Sequence, residues 1–280
     1  MDVNKKKTYL LDLYTNTDCF MTPKLQYKTI LLIVVSFAIH YLLLKNFKNI
    51  KIFLDNYTHQ GLLSYILAYL LVGIPIFIGT FLINENKNIT EPLGISSSLY
   101  SGIQRAIIFT IPMFVGGLLC FTFQRELDWQ QLIAGTLIAG MMEELYYRGF
   151  LFGQLFRKTH LGFVASIFLS AVLFAIAHLY QSENTYEMMG IFLLTFAGAI
   201  FFAWLYVEWQ YNLWVPIFTH TFMNLSWALF QIDNSALGGF KANIFRGLTI
   251  AVAILFTLYH KKKKNEKLII NKNTLWLYKK

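Results

Sequence analysis

Charged residues are scarce in this chain of 280 residues: Asp, Glu, Lys and Arg together make up 14% of it. A soluble domain usually contains about 25% of these residues. Hydrophobic residues account for 56% of the chain, and the mean hydropathy is +0.49. Because a chain of this composition cannot cover itself with polar side chains in water, a soluble globular protein is excluded. The composition predicts a polytopic membrane protein, an all-α helical bundle in the lipid bilayer.

Cysteine is nearly absent as well. The chain contains Cys19 and Cys120 alone, so a disulfide framework is excluded. Cys120 falls within an apolar segment, where we expect it to pack against its neighbours. A cleaved signal peptide is not expected, because the first apolar run begins near Thr29, after a long polar lead and without a small-residue cleavage site. We expect that run to be a retained membrane span.

Basic residues outnumber acidic ones, and the formal net charge is +9. Most of them gather at the two ends of the chain: Lys5, Lys6, Lys7, Lys24, Lys28, Lys261, Lys262, Lys263, Lys264, Lys267, Lys272, Lys279 and Lys280. Basic segments that flank membrane spans are what the positive-inside rule predicts for cytoplasmic tails, which also meet anionic lipid. We therefore expect no nucleic-acid partner.

The apolar runs predict eight membrane spans, at about residues 29–44, 62–83, 105–123, 131–156, 162–180, 188–207, 213–230 and 244–259. With an even number of spans both termini lie on one side, and their lysines place that side in the cytoplasm. The predicted organisation is a basic segment 1–28, a transmembrane domain 29–259 and a basic tail 260–280. The lysines of the polar stretch 45–61 do not fit, because they would lie outside.

The fourth predicted span contains three charges in an otherwise apolar run: Glu143, Glu144 and Arg148. Each costs about 2.5–3.5 kcal/mol at the centre of a membrane helix on insertion scales. Charges at that depth usually face a cavity and pair with one another. A spacing of four allows Glu144 and Arg148 to form an ion pair on one helix face. Glu143 is rotated by about 100° and can point into a cavity.

Two further predicted spans contain polar residues at helical spacing. His178 follows Phe174 by four residues, and Asn224 follows His220 by four. Buried polar groups on separate spans need partners, so we expect these residues to meet Glu143 and Glu144 in one polar cavity. His40 is expected to form a hydrogen bond to a neighbouring helix and to have no chemical role.

The predicted span boundaries place these groups at different depths. Glu143 would lie near the middle of the membrane, His220 towards the cytoplasmic half and His178 towards the outer end. At about 1.5 Å per residue this spread exceeds one active site, unless helices tilt or the fifth span begins later.

The three motifs resemble those of a known family. Glu143-Glu144-x-x-x-Arg148, Phe174-x-x-x-His178 and His220-x-x-x-Asn224, in this order on separate spans, form the motif set of the CPBP intramembrane proteases. That family includes the type II CAAX prenyl endopeptidases and the bacteriocin-processing or self-immunity proteins, also called the Abi family. The resemblance covers about residues 130–230.

The resemblance implies roles for these residues. Glu143 and His178 would activate water, and His220 and Asn224 would stabilise the tetrahedral intermediate. Glu144 and Arg148 would hold the architecture, with Phe174 as a supporting residue.

A metal remains an alternative at this point. The family has been described both as metalloproteases and as glutamate-dependent proteases, and Glu143, His178 and His220 would be the candidate zinc ligands. The chain lacks the His-Glu-x-x-His, Gly-x-Ser-x-Gly and Gly-x-Gly-Asp motifs of other proteases. We favour the metal-free mechanism.

The abundance of Lys, Asn and Ile is typical of an AT-rich bacterial genome, for which a prenylated substrate is not expected. The sequence therefore predicts a bacterial membrane enzyme that cleaves a membrane-associated peptide, such as a bacteriocin or signalling precursor. A non-catalytic partner of the same fold, serving immunity or regulating a membrane sensor, is the alternative. A proton-coupled transporter is disfavoured, because the chain shows no inverted repeat.

Overall fold

The computed structural model describes residues 23–84 and 88–277, and over these residues the fold is helical. Its regular elements are α1 Pro23–Leu44, α2 Phe47–Thr58, α3 Gly61–Asn84, α4 Thr90–Leu93, α5 Leu99–Cys120, α6 (residues 129–158), α7 Phe163–Ala177, α8 Thr185–Glu208, α9 Trp214–Leu229 and α10 Phe240–Lys263. A short 3₁₀ helix, Leu179–Gln181, extends α7. Lys5, Lys6, Lys7, Cys19, Lys279 and Lys280 lie outside the described residues.

Six helices in the described part of the chain are long and apolar enough to cross a membrane. They are Leu25–Leu44, Gly61–Asn84, Leu99–Cys120, Phe163–Gln181, Thr185–Glu208 and Phe240–Lys263. The chain is therefore an integral membrane protein by its helices, but the predicted count of eight spans is not confirmed. The two predicted spans without a counterpart, 131–156 and 213–230, correspond to α6, which contains charges in its middle, and to α9, which has 16 residues.

The second half of helix α6 is shielded from lipid by its neighbours. Every residue from Glu144 to Phe156 is buried. Because these side chains face protein, this part of the helix does not need the continuous apolar surface of a lipid-exposed span. Two stretches of α6, Ala134–Ile138 and Glu144–Phe152, are π-helical, a form found mostly as short insertions that are frequent at functional sites.

The loops of the bundle meet at two ends. At one end, which we call the mouth end, residues 58–61, 121–131, 178–187 and 230–240 lie together: the backbone N–H of Gln124 donates to the Leu229 carbonyl (2.8 Å), and the N–H of Ala236 donates to Gln181 Oε1 (2.7 Å). At the opposite tail end, residues 88–98, 154–163, 208–214 and 261–277 lie together, joined for example by Leu213 N–H to the Gly94 carbonyl (3.0 Å).

The C-terminal segment 264–277, which belongs to the predicted basic tail 260–280, packs on the tail end of the bundle. The N–H groups of Gly162, Phe163 and Val164 donate to the carbonyls of Trp276, Thr274 and Leu275 at 2.8–3.0 Å. The first N–H groups of a helix have no partner within the helix, so this segment caps the beginning of α7. The chain thus returns to support the helix that ends at His178.

A buried ion pair holds the same segment in place. Lys261 Nζ lies 2.6 Å from the Glu208 carboxylate, and both side chains are almost fully buried. The two Glu208 oxygens also accept the backbone N–H groups of Ile269 (3.1 Å) and Ile270 (2.8 Å). One carboxylate therefore joins α8, α10 and the C-terminal segment.

The polar stretch 45–61 is mostly helix α2 and not a loop. Its 12 residues span about 18 Å, which is too short for a bilayer core of about 30 Å. Two-residue connections join it to α1 and α3, and none of its residues is fully buried. Lys51 donates a hydrogen bond to Asp55 (2.6 Å) that holds the pKa of this carboxyl below its usual value. The helix thus lies at the mouth end and is too short to span the membrane.

Candidate active site

The two adjacent glutamates of α6 point to different surroundings. Glu143 ends the α-helical stretch Ala139–Glu143, and Glu144 begins the π-helical stretch that follows. The Glu143 side chain is 25% exposed and lines a cavity, whereas the Glu144 side chain is fully buried. One glutamate is therefore accessible to a substrate or water, and the other is confined to protein contacts.

Glu144 has two partners on one oxygen. Its Oε1 atom lies 3.1 Å from Arg148 NH1 and 2.9 Å from His220 Nδ1. The contact with Arg148 is an ion pair by distance, although its N–H groups are not directed well enough for a hydrogen bond. The Arg148 guanidinium also lies 4.2 Å from the centre of the Phe174 ring, a cation–π contact that compensates part of its burial. Phe174 is the phenylalanine of the second motif, Phe174-x-x-x-His178, and it is thus in contact with the arginine of the first motif.

His178 is oriented by its own helix. The residue caps the C-terminus of α7, and its Nδ1 lies 2.8 Å from the carbonyl oxygen of Phe174. A carbonyl can only accept, so Nδ1 carries the proton in this contact and Nε2 of the neutral ring has a free lone pair. That Nε2 lies 4.0 Å from Glu143 Oε2.

His220 is oriented by the Glu144 carboxylate, and its Nδ1 atom, like that of His178, is the ring nitrogen held by a partner. Its Nδ1–H donates to the Glu144 carboxylate, and its ring stacks on Phe202 at 5.1 Å between ring centres. A buried carboxylate that holds one ring nitrogen fixes the tautomer of the imidazole. The other nitrogen, Nε2, lies 3.9 Å from Glu143 Oε2. Two imidazoles from α7 and α9 thus present Nε2 to one carboxylate oxygen of α6.

Asn224 lies on the same cavity, one helical turn after His220. Its amide nitrogen is 3.5 Å from the carbonyl oxygen of Gly135, at the outer limit of a hydrogen bond. The amide is therefore weakly held and can turn towards a ligand. The structure brings together all the residues of the three motifs, so the difference in depth expected from the sequence is wrong. The bounds of α7 and α9 lie within three residues of the predicted spans 162–180 and 213–230, so the predicted boundaries are not the cause of this difference.

The cavity has a volume of about 1320 Å³. The charged and imidazole groups lie in its interior, with Phe174 and Phe202 beside them. Its outer lining is polar and comes from the loops at the mouth end: Gln124, Gln131, Gln181, Gln231, Asp233 and Asn234. A polar cavity of this size has room for water, and such a cavity accommodates an intramembrane carboxylate.

The sequence interpretation missed several residues that shape this cavity. Tyr65 and Tyr69 of α3 line it, as do Trp227 and Arg246 near the mouth end. The spacing of four between the two tyrosines was a signal for a shared helix face. Arg246 and Trp227, by contrast, meet only in the folded chain, where the guanidinium lies 4.4 Å from the ring centre.

His40 is bound as expected for a structural residue: its ring is buried, and Nδ1 lies 2.7 Å from the Val72 carbonyl. Cys120 is exposed at the end of α5, so the expected packing is not observed.

The donors around Glu143 do not fit a zinc ion as they are arranged. Neighbouring ligands of tetrahedral zinc lie about 3.3–3.6 Å apart, because each bond is about 2.0–2.2 Å long. The distances from Glu143 to the two imidazoles, 3.9 and 4.0 Å, are longer. No group of three His, Cys, Asp or Glu side chains within residues 23–84 and 88–277 is arranged to hold a metal. We therefore assign no reaction step to a metal.

Comparison with known proteins shows what this chain is similar to. Residues 125–226 match the family described as type II CAAX prenyl endopeptidase Rce1-like. The matched segment contains all three motifs and runs from just before α6 to the last turn of α9. It covers largely the same part of the chain in which the sequence resembles the CPBP family.

One curated relative also matches a segment of 102 residues. The chain is 31% identical over 102 residues to "Putative membrane peptidase YdiL" of Bacillus subtilis (strain 168). The alignment covers 36% of this chain and 37% of that protein, so the chain matches little more than a third of its relative's length.

Proposed function

We propose that the protein is an intramembrane endopeptidase that hydrolyses a peptide bond of a membrane-associated peptide or protein. The observation that supports this most directly is the arrangement of two imidazole Nε2 atoms around Glu143 Oε2, at 3.9 and 4.0 Å, in a cavity open at the mouth end. The family match and the relative's name point to the same class of reaction.

Glu143 and His178 are suited to hold one water molecule. The carboxylate oxygen and the neutral Nε2 are both acceptors, so they cannot bond to each other directly. A water that donates one hydrogen to each, through bonds of about 2.8 Å, would separate them by about 4–4.5 Å. The observed 4.0 Å agrees with this bridge. Removal of a proton from that water by Glu143 would generate the nucleophile for the scissile carbonyl.

His220 and Asn224 are suited to stabilise the oxyanion. In its imidazolium form His220 donates from both nitrogens, with Nδ1–H bound to the Glu144 carboxylate and Nε2–H directed into the cavity. The weakly held Asn224 amide can supply a second donor. Donors fixed before the reaction stabilise a developing charge without reorganisation, and removal of one such donor typically slows catalysis by about 10²–10³.

The proposed substrate is a peptide or protein at the membrane of a bacterial cell. The polar outer lining of the cavity can accept the amide groups of a peptide backbone, and its inner wall has apolar residues from α5, α6 and α8. Processing of a bacteriocin or signalling precursor is the proposed biological setting.

The test compares the peptides released by cells that express wild type, Glu143→Gln or the matched control Glu183→Gln. Glu183 is an exposed carboxylate of a mouth-end loop, so its replacement changes the charge outside the cavity alone. Mass spectrometry of membrane and secreted peptides should show cleavage products for wild type and Glu183→Gln that are missing for Glu143→Gln. Products that appear equally in all three strains, at equal protein levels, would favour a non-catalytic partner instead.

A further inference from the structure

We infer that the mouth of the cavity opens on the non-cytoplasmic face of the membrane, so that the scissile segment of the substrate lies outside the cell. The statement about the substrate rests on the proposed function. The orientation of the mouth is inferred from the fold and the distribution of its charges alone.

Among the described residues, the exposed polar side chains that line the cavity lie at the mouth end. Gln131, Gln231, Asp233 and Asn234 line the cavity and are all exposed. Towards the tail end the cavity is closed by buried side chains of α6, where Glu144 and Arg148 are followed by an uninterrupted buried stretch to Phe156. A peptide therefore reaches Glu143 from the mouth end.

The helices place both described ends of the chain at the other end. α1 and α3 are antiparallel, since Ser36 lies beside Gly79 and His40 beside Val72. α1 therefore begins at the tail end and turns into α2 at the mouth end. The C-terminal segment 264–277 binds the beginning of α7, which is also at the tail end.

Basic residues are distributed unequally between the two ends. Among the described residues, eleven Lys and Arg lie in or near the loops of the tail end: Lys24, Lys28, Arg105, Arg157, Lys158, Lys261, Lys262, Lys263, Lys264, Lys267 and Lys272. Six lie at the mouth end: Lys45, Lys48, Lys51, Arg125, Lys241 and Arg246. The positive-inside rule counts Lys and Arg close to the ends of spans, and it places the tail end in the cytoplasm.

The lysines of α2 do not reverse this balance. They were the residues that conflicted with the orientation expected from the sequence, and they are included in the count for the mouth end. In the structure Lys48 and Lys51 belong to the short helix α2, Lys45 lies in the turn before it, and α2 exposes the apolar side chains Ile52 and Phe53. Such a helix binds to lipid head groups through its lysines and inserts its apolar side chains, on either face of a membrane.

The orientation restricts the substrate class. A peptide that meets Glu143 through this mouth has its scissile bond at or beyond the outer surface of the membrane. This describes an exported precursor that is still held in the bilayer by an apolar segment. A lipid-modified C-terminus on the cytoplasmic face would meet the closed tail end of the bundle.

Cysteine accessibility tests the orientation without any assay of activity. In full-length protein with Cys19→Ala and Cys120→Ala, single cysteines are introduced by Asn234→Cys or Glu183→Cys at the mouth end and by Lys272→Cys at the tail end. All three positions are exposed. Each variant is treated with a membrane-impermeant maleimide in intact cells, after permeabilisation, and after solubilisation in detergent, which gives the maximum labelling.

We expect both mouth-end cysteines to reach the detergent maximum in intact cells, and Lys272→Cys to be labelled only after permeabilisation. The opposite pattern, or equal labelling of both ends in intact cells, would overturn the orientation. Glu183→Cys decides the result if Asn234→Cys is not labelled in detergent. Because labelling does not depend on cleavage, an inactive enzyme with this pattern would refute the proposed function and retain the orientation.

Discussion

Glu144 Oε1 is the atom that joins the structural and the reactive parts of the site, because it contacts both Arg148 and His220. The arginine holds the carboxylate within α6, and the carboxylate in turn orients the imidazole of α9. Glu143 faces the cavity, where the Nε2 atoms of His178 and His220 lie 4.0 and 3.9 Å from its Oε2 atom. At the scale of residues, Glu144 thus holds other side chains in position, and Glu143 is the glutamate that a substrate or water can reach.

Replacement of Arg148 should destabilise the fold. Arg148→Ala leaves the Glu144 carboxylate buried without its cation, and loss of one member of a buried pair typically costs about 3–5 kcal/mol. The measurement is thermal unfolding of the purified protein in detergent, together with the yield of folded protein. The control is Lys51→Ala, which breaks the partly exposed pair with Asp55 and should change the unfolding midpoint little. An Arg148→Ala protein with wild-type yield and midpoint would show that the pair is dispensable.

Glu143 and His178 should behave as one proton-transfer unit. If both hold the same water, the double variant Glu143→Gln/His178→Ala should lose about as much rate as the more damaging single variant. The readout is the cleavage rate of one peptide substrate by the four proteins of this cycle. Losses that multiply, with each variant folded, would show that the two side chains act in independent steps.

At the scale of elements, the C-terminal segment supports the helix α7 at the end opposite to His178. Its carbonyls accept the first N–H groups of α7, and His178 lies at the other end of that helix. The Glu208 carboxylate fixes the segment through Lys261, Ile269 and Ile270.

Glu208→Ala should release this segment. The change removes the partner of a buried lysine and the acceptor of two backbone N–H groups, so a loss of about 3–5 kcal/mol in stability is expected. Hydrogen exchange followed by mass spectrometry should become faster in residues 264–277 and in the first turn of α7. Lys272→Ala, at an exposed position of the same segment, is the control and should exchange like wild type. Unchanged protection of α7 in Glu208→Ala would contradict the capping role.

The sequence predicted local relationships of the elements well. The spacing of four between Glu144 and Arg148 indicated their contact, and the cost of isolated polar groups indicated that Glu143, His178 and His220 would meet. Such inferences need only the helical period and the apolar surroundings.

Other features could not be predicted from the helical period and the apolar surroundings. The π-helical stretch that begins at Glu144 is a local change of hydrogen bonding that its apolar sequence does not encode. The capping of α7 by Thr274, Leu275 and Trp276 joins residues more than a hundred positions apart, within a tail whose lysines indicated only solvent and lipid. The predicted count of eight spans is not confirmed, and hydrophobicity alone does not separate a helix largely buried in protein, such as α6, from one in lipid.

At the scale of the whole molecule, the bundle encloses a water-accessible site between a polar mouth and a closed, positively charged end. This arrangement allows an ionised side chain to work within the bilayer, because the helices around it replace lipid by polar partners and water. The two imidazole nitrogens lie 3.9 and 4.0 Å from Glu143 Oε2, a spacing that fits the proposed bridging water better than a zinc ion.

Removal of metal ions should therefore leave the activity intact. Purified protein that has been dialysed against a strong chelator should retain its cleavage rate, and elemental analysis should find less than one equivalent of zinc per chain. The matched sample is the same protein after addition of zinc, which should not be faster. Loss of activity on chelation, with recovery on addition of zinc, would assign Glu143, His178 and His220 to a metal centre.

The measurement that tests the central claim most directly is the cleavage rate of Glu143→Gln in proteoliposomes, on a peptide that the wild-type protein cleaves. The carboxamide keeps the size of the side chain but cannot remove a proton from water, so the rate should fall by about 10²–10⁴. The unfolding midpoint should stay at the wild-type value, because this partly exposed side chain has no ion pair with Arg148 to lose. A Glu143→Gln protein that cleaves the peptide at the wild-type rate would contradict the account.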